Sequence, residues 1–289
     1  MKSAAYGLVA PTTIDEAFVA LVEHGPDARL LAGGQSLMPL MAARAVRPSV
    51  LIDLRGVSGL VGVVRRSDHV AIGAMTTQRT VERDETVRAH VPLLALAVPH
   101  IAHRTIRNQG TLGGSVAHAD PSAEIPVVAA ALGATMVIAG PDGGREVLAD
   151  EFFVGRNRTC LGPGEILVEV RFPTPGSGPG VAFEELSRRP GDPAMASAAV
   201  SVRLDAVGRI EFVSVALGSV ADVPIRSAAA ERVLLGEVPG PEVVAAAAVA
   251  AIGELEPPSD LHATSAYRRH LAGVLLGRAV TAAVGRAER

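Results

Sequence analysis

The sequence predicts an α+β fold in two parts, and three features carry that reading. A strand, a Gly-Gly turn, a helix and a second strand alternate in the first 55 residues. The stretch PTPGSGPG at 173–180 then interrupts the chain with three prolines and three glycines, which suit neither helix nor strand. Beyond it a block of strands is followed by a block of helices, as in α+β domains. The boundary is placed within this interruption, giving parts of 1–176 and 177–289.

The elements follow in order. TTIDEAFVALVEHG has a polar start, apolar Ile14, Ala17, Phe18, Leu21 and Val22 at helical spacing, and Gly25 as a stop. ARLLAGG is a short apolar strand running into glycines, SLMPLMAARAV a helix opened by Ser36, and SVLIDLRG a second buried strand. Pro39 falls in the first helical turn, where its missing N–H costs little. Residues 61–75 predict a hairpin turning near Ser67-Asp68, and a helix is expected over roughly 77–101. IPVVAAALGATMVIAG predicts a helix passing into a strand, PDGG a turn, and GEILVEVRFP a strand. VAFEELSRR, MASAAVSVRLD and GRIEFVSVALGSV predict a three-stranded antiparallel meander. Three helices complete the chain: SAAAERVLLG, PEVVAAAAVAAIGEL and TSAYRRHLAGVLLGRAVTAAVG.

Composition removes several kinds of chemistry. Of 289 residues 48% are hydrophobic and 20% charged, with a net charge of −3, so no nucleic-acid partner is expected. Lysine and arginine total 27, but Lys2 is the only lysine, which argues against a Schiff base, a lysine base or a P-loop. Cys160 is the only cysteine, so the chain has no internal disulfide and no multi-cysteine metal site. No stretch approaches the roughly 20 apolar residues of a membrane span, and Pro11, Asp15 and Glu16 break the run a signal peptide needs. The expectation is a cytoplasmic protein without stable membrane insertion.

Two glycine pairs are the leading candidates for function. AGGQSLM at 32–38 and GTLGGSVAH at 110–118 each place Gly-Gly before or near a serine and an apolar run. Such a pair is either a tight turn or a nest of backbone N–H groups that holds an anion. The first nest opens into a helix N-terminus, which adds partial positive charge. There is no G-x-G-x-x-G, no G-x-x-x-x-G-K-[ST] and no G-x-S-x-G. His100, His103 and His118 lie near Asp120 and Glu124, but without a metal-binding motif they are read as capping or ligand-contacting groups. No metal site and no acid–base catalytic residue is assigned.

AGGQSLMPLM, IAHRTIRNQGTLGGSVAHADPSAEIP and GEILVEVRFP together resemble the FAD-binding medium subunit of molybdenum hydroxylases, the carbon monoxide dehydrogenase and xanthine dehydrogenase group. SRRPGDPAMASAAV, VPIRSAAAERVLLG and SAYRRHLAGVLLGRAV resemble that family's C-terminal flavoprotein domain, so the resemblance spans nearly the whole chain. It implies a vanillyl-alcohol-oxidase-type (PCMH) FAD-binding domain over 1–176, in subdomains of about 1–56 and 57–176, and a carbon-monoxide-dehydrogenase-flavoprotein-like domain over 177–289.

By this resemblance Ala32, Gly33, Gly34, Gln35 and Ser36 form a first pyrophosphate loop, and Thr111, Gly113, Gly114 and Ser115 a second. Ile101 falls at an apolar FAD contact, Glu124 at an acidic position for ribose or ribityl hydroxyls, and Leu167 near the adenine. Glu184 matches a polar position close to the flavin that is a lysine in some relatives. Pro193 stands where the family often has an aromatic residue near the isoalloxazine. The resemblance further implies an electron-transfer subunit. It would work beside a large molybdenum-cofactor subunit and a small [2Fe-2S] subunit, in a dimer of heterotrimers, passing electrons to an external acceptor. The alternatives are a stand-alone FAD-dependent oxidoreductase on the same fold and a non-enzymatic assembly subunit.

Overall fold

Parallel strands open the chain. In the computed structural model, which describes residues 3–141, 143–174 and 178–287, β1 (Gly7–Val9) and β2 (Ala28–Leu31) both pair parallel to a central β3 (Val50–Asp53). Lys2, Asp142 of the expected turn and the expected boundary at 176–177 lie outside the described residues. A parallel pair needs a crossover, supplied between β1 and β2 by α1 (Ile14–His24) and between β2 and β3 by α2 (Leu37–Ala42). Thr13 and Glu16 close a reciprocal capping box on α1, and Gly25 ends it. Helix α2 is shorter than expected because the chain turns left-handed at Arg44, with φ of 60°. The 32–36 loop thereby sits at the carboxyl end of β2, where open parallel sheets bind ligands.

The second sheet is antiparallel, in the order β4 (Val63–Arg65), β5 (His69–Gly73), β10 (Ile166–Pro173), β6 (Thr135–Gly140), β7 (Gly143–Leu148). The expected single helix over 77–101 is instead three short ones, α3 (Gln78–Arg83), α4 (Glu85–His90) and α5 (Pro92–Ala97). The breaks are chemical. Asp84 turns extended, at ψ of 128°, and its carboxylate caps the Val87 N–H; Pro92 then starts a new helix without an N–H to donate. Then come α6 (Arg104–Arg107), α7 (Leu112–His118) and α8 (Glu124–Leu132), and later α9 (Ala149–Phe152) with the small β8 (Phe153–Gly155) and β9 (Arg158–Thr159) pair.

The third sheet comprises β11 (Gly180–Leu186), β12 (Ala196–Leu204), β13 (Ile210–Gly218) and a two-residue β14 (Ile225–Arg226), all antiparallel. It therefore has four strands where the sequence predicted three; a two-residue edge strand leaves no hydrophobic period to read. Helices α10 (Ala228–Leu234), α11 (Pro241–Gly253) and α12 (Ser265–Ala287) follow, and α12 packs on β11 and β12. The other face of this sheet receives α8, which is buried along almost its whole length. Alternation makes that possible: Val181, Phe183, Ala199 and Ala216 join the core that holds α8, whereas Ala182, Ala198, Val200 and Leu217 join the core under α12. Among the described residues no helix is long and apolar enough to cross a membrane.

Candidate functional site

The two glycine loops meet. A cavity of about 720 Å³ lies between them, within the roughly 300–1,000 Å³ usual for ligand pockets. A Cβ on Gly33 would collide with the backbone of Gln109 and Gly110, and one on Gly114 would lie 3.3 Å from the Ala32 Cβ. Gly33 is glycine because the second loop occupies its side-chain space. Gly34 takes φ of 72°, the left-handed region.

Backbone donors distinguish the loops. Within the first, the N–H groups of Gly33, Gly34, Gln35, Ser36 and Leu37 find no acceptor among the described residues. The Gln35 amide folds back to donate to the Gly33 carbonyl at 2.9 Å, leaving the concave run of N–H groups open. In the second loop the donors are taken. Leu112 N–H donates to Thr76 O, Gly113 N–H to Ala74 O, Gly114 N–H to Thr111 Oγ1 and Ser115 N–H to Thr111 O, all within 3.1 Å. The second pair is thus a capped helix start that walls the cavity, and the open donors belong to the first loop.

Ala32, Gly33, Gly34, Gln35, Ser36, Ile101, Thr111, Gly113, Gly114, Ser115, Glu124 and Leu167 all line this one cavity. Glu184 does not, because strand alternation puts it on the side of β11 shared by Ala182 and Leu186. Pro193 does line it, together with Gly191 and Asp192, so the third sheet's 187–195 connection reaches the site. Gly191, at φ of 85°, packs on the backbone of Ala102.

The cavity's electrostatics centre on Glu124, which is 7% exposed. Burial pushes its carboxyl up to about 7, the Asp120 charge adds to this, and Glu124's own N–H and Arg107 oppose it. His100 is pushed down by burial, against the pull of Glu184, and its ring packs on Phe183. Among the described residues no three His, Cys, Asp or Glu side chains gather to hold a metal ion.

Sequence reasoning missed Arg107, the most connected side chain beside the site. It is 8% exposed and pairs with Glu82 through Nε and Nη2. Its Nη1 donates to the carbonyls of Pro99, Ile101 and Ala102, at 3.3, 2.7 and 3.2 Å. It thereby holds the segment carrying Ile101 and the left-handed Ala102, at φ of 40°. The run of three polar residues, Arg107 to Gln109, hides this role, since nothing in IRNQG marks one arginine as buried. Gln78 was missed likewise: it lines the cavity, and its Oε1 is buried without a partner.

Open backbone donors, an apolar wall and a buried acid describe a protein built to hold an elongated anionic cofactor. The model of the FAD binding domain in molybdopterin dehydrogenase matches residues 4–175, and that of the CO dehydrogenase flavoprotein C-terminal domain matches 181–283. The chain is 40% identical over 277 residues to the carbon monoxide dehydrogenase medium chain of Hydrogenophaga pseudoflava, covering 96% of each. It is 37% identical to subunit alpha of the 6-hydroxypseudooxynicotine dehydrogenase complex of Paenarthrobacter nicotinovorans, covering 99% of this chain and 97% of that one. The solved carbon monoxide dehydrogenase from H. pseudoflava superposes with a TM-score of 0.97 at 40% identity, covering 99% of both chains. The chain belongs to the family of FAD-binding medium subunits of molybdenum hydroxylases.

Proposed function

We propose that the cavity is the FAD site and that this chain carries electrons from partner subunits to an external acceptor. The observation behind this reading is the run of open N–H groups from Gly33 to Leu37, set beside a cavity of cofactor size. Those donors suit a pyrophosphate, and no lysine is required. Thr111 and Ser115 add hydroxyls, Glu124 accepts hydrogen bonds from ribose or ribityl hydroxyls, and Ile101 and Leu167 supply apolar contact. Pro193 covers the cavity without an aromatic face. FAD, when bound, supplies the redox chemistry, exchanging electrons one or two at a time.

We infer that the partners are a large molybdenum-cofactor subunit and a small [2Fe-2S] subunit, in a dimer of heterotrimers. The relatives' names support the assembly, since they are a medium chain and a complex subunit. Those names also cover carbon monoxide and 6-hydroxypseudooxynicotine at similar identity, which supports placing substrate choice on another chain. Titration of the FAD-free chain with FAD, FMN and riboflavin tests the site. A pyrophosphate cradle requires FAD to bind at least about tenfold more tightly than FMN, or 1.4 kcal/mol; equal affinities would refute it.

A further inference from the structure

Two irregular stretches wall the cavity and lie far apart in the chain: Asp120, Ser122 and Ala123 ahead of α8, and Gly191–Pro193 between β11 and β12. Both are tied to Ser219, which does not itself line the cavity. Ser219 follows directly on β13, is 4% exposed and turns left-handed, at φ of 62°. A residue other than glycine in that region costs free energy, and it persists where the surroundings over-determine it. Here all three of its polar groups are engaged. The N–H donates to the Pro121 carbonyl at 2.8 Å, and the Oγ donates to the Ala194 carbonyl at 2.7 Å. The Ser219 carbonyl accepts from Arg268 Nη1 at 3.2 Å.

Arg268 reaches the same point from α12. It is buried, its Nη1 also donates to the Met195 carbonyl at 2.7 Å, and its Nη2 pairs with Asp260 at 2.6 Å. The Met195 N–H closes the base of the 187–195 connection on the Leu186 carbonyl at 2.8 Å. Farther out, Gly191 packs against Ala102, while Ser187 Oγ and the Asp192 N–H bond within the connection, to the Arg189 carbonyl. The side-chain hydrogen bonds that tie this wall to the rest of the molecule therefore come from Ser219 and Arg268, at Ala194 and Met195.

We propose that Ser219 is a positioning residue for the cofactor: it ties the Gly191–Pro193 wall to the Asp120–Ala123 wall at one spacing, and Arg268 holds it in its left-handed turn. The proposal rests on the assignment of the cavity to FAD. Releasing the Ala194 carbonyl frees one wall from the other. Fewer chains then hold the cavity in its binding shape, and the apparent FAD affinity falls by that fraction.

The test uses the full chain as wild type, Ser219→Ala, Ser219→Gly and Ser214→Ala. Ser219→Ala removes the hydroxyl and keeps the strained turn, whereas Ser219→Gly removes the same hydroxyl and relieves the turn. Ser214→Ala controls for stability alone: Ser214 is buried on the same strand, and its Oγ donates to the carbonyl of Ala131, which does not line the cavity. Ser219→Gly should melt higher than Ser219→Ala, yet both should bind FAD about tenfold more weakly than wild type, as a competent fraction of about 10% gives. Ser214→Ala should melt lower than wild type and bind FAD as wild type does. The visible circular dichroism of bound FAD should weaken in the two Ser219 variants only. In the FAD-free chain, amide exchange over 187–195 should be faster in both Ser219 variants than in wild type and Ser214→Ala. Wild-type FAD affinity in both Ser219 variants, or losses that simply follow melting temperature across all three variants, would overturn the proposal. If the wild type takes up no FAD, the cavity assignment fails instead, and unchanged exchange over 187–195 would still refute the tie through Ser219.

Discussion

Gly33 has the clearest constraint of any residue at the site, since the backbone of Gln109 and Gly110 fills the space a side chain would need. Gly33→Val should therefore separate the loops and abolish FAD binding, read as loss of flavin absorbance in the purified chain. Arg107 acts in a different way, gathering Glu82 and three carbonyls around one buried guanidinium. Arg107→Ala leaves Glu82 with Arg79, 3.0 Å away, as its remaining cation, and leaves the Ile101–Ala102 segment unsupported. Leaving the Pro99, Ile101 and Ala102 carbonyls without this donor is expected to cost about 2 kcal/mol, measured by urea denaturation. Of the two residues, only Gly33 was legible in the sequence, and for a different reason. Glycine beside glycine announces a special backbone, but the other loop that forces it lies far along the chain. Glu184 shows the converse: its motif position is clear, yet its side of the strand depends on which sheet face meets α8.

At the scale of the element, the second glycine loop is held by its cap. Thr111 Oγ1 accepts the Gly114 N–H at 3.0 Å. Thr111→Val keeps the shape and removes the acceptor, so the folded chain should lose about 1 kcal/mol, seen as a lower melting temperature. FAD affinity should fall with it. Long elements with a strong period were legible: α1 with its capping box, α8 running into β6, and strands β10 to β13. The short ones were not. Strand β1 (GLV) and β14 (IR) are too brief to show alternation and exist because a neighbour offers a ladder edge. The helix expected over 77–101 breaks where Asp84 and Pro92 offer better local hydrogen bonding than continuation. The first loop's open donors followed from its glycines, whereas the second loop's donors are taken by Thr76 and Ala74, which only tertiary contact reveals.

Over the whole molecule, three sheets contribute to one cavity: the parallel sheet through its 32–36 loop, the second through Ala74 and Leu167, and the third through Gly191–Pro193. The buried acids lie at the junction of α8 with the third sheet, so overall stability should respond to pH on two sides. Hydrogen bonds from Arg145 and Gly162 hold Glu165 down to about 2, and those from Arg268, His262 and Ala263 hold Asp260 at about 2 despite partial burial. The stability these acids give is present above their ordinary values and is lost as pH falls towards 2. Glu124 and Glu185 act oppositely, losing stability as pH rises towards 7 to 8. The FAD-free chain should accordingly melt highest in mildly acidic solution, which a pH series of thermal scans checks. The FAD site is tested first by the visible absorption spectrum of the purified chain, with any released cofactor identified by mass. A flavin spectrum and the mass of FAD are expected, retained by the wild type and absent from Gly33→Val. A colourless chain that also fails to take up added FAD would contradict it.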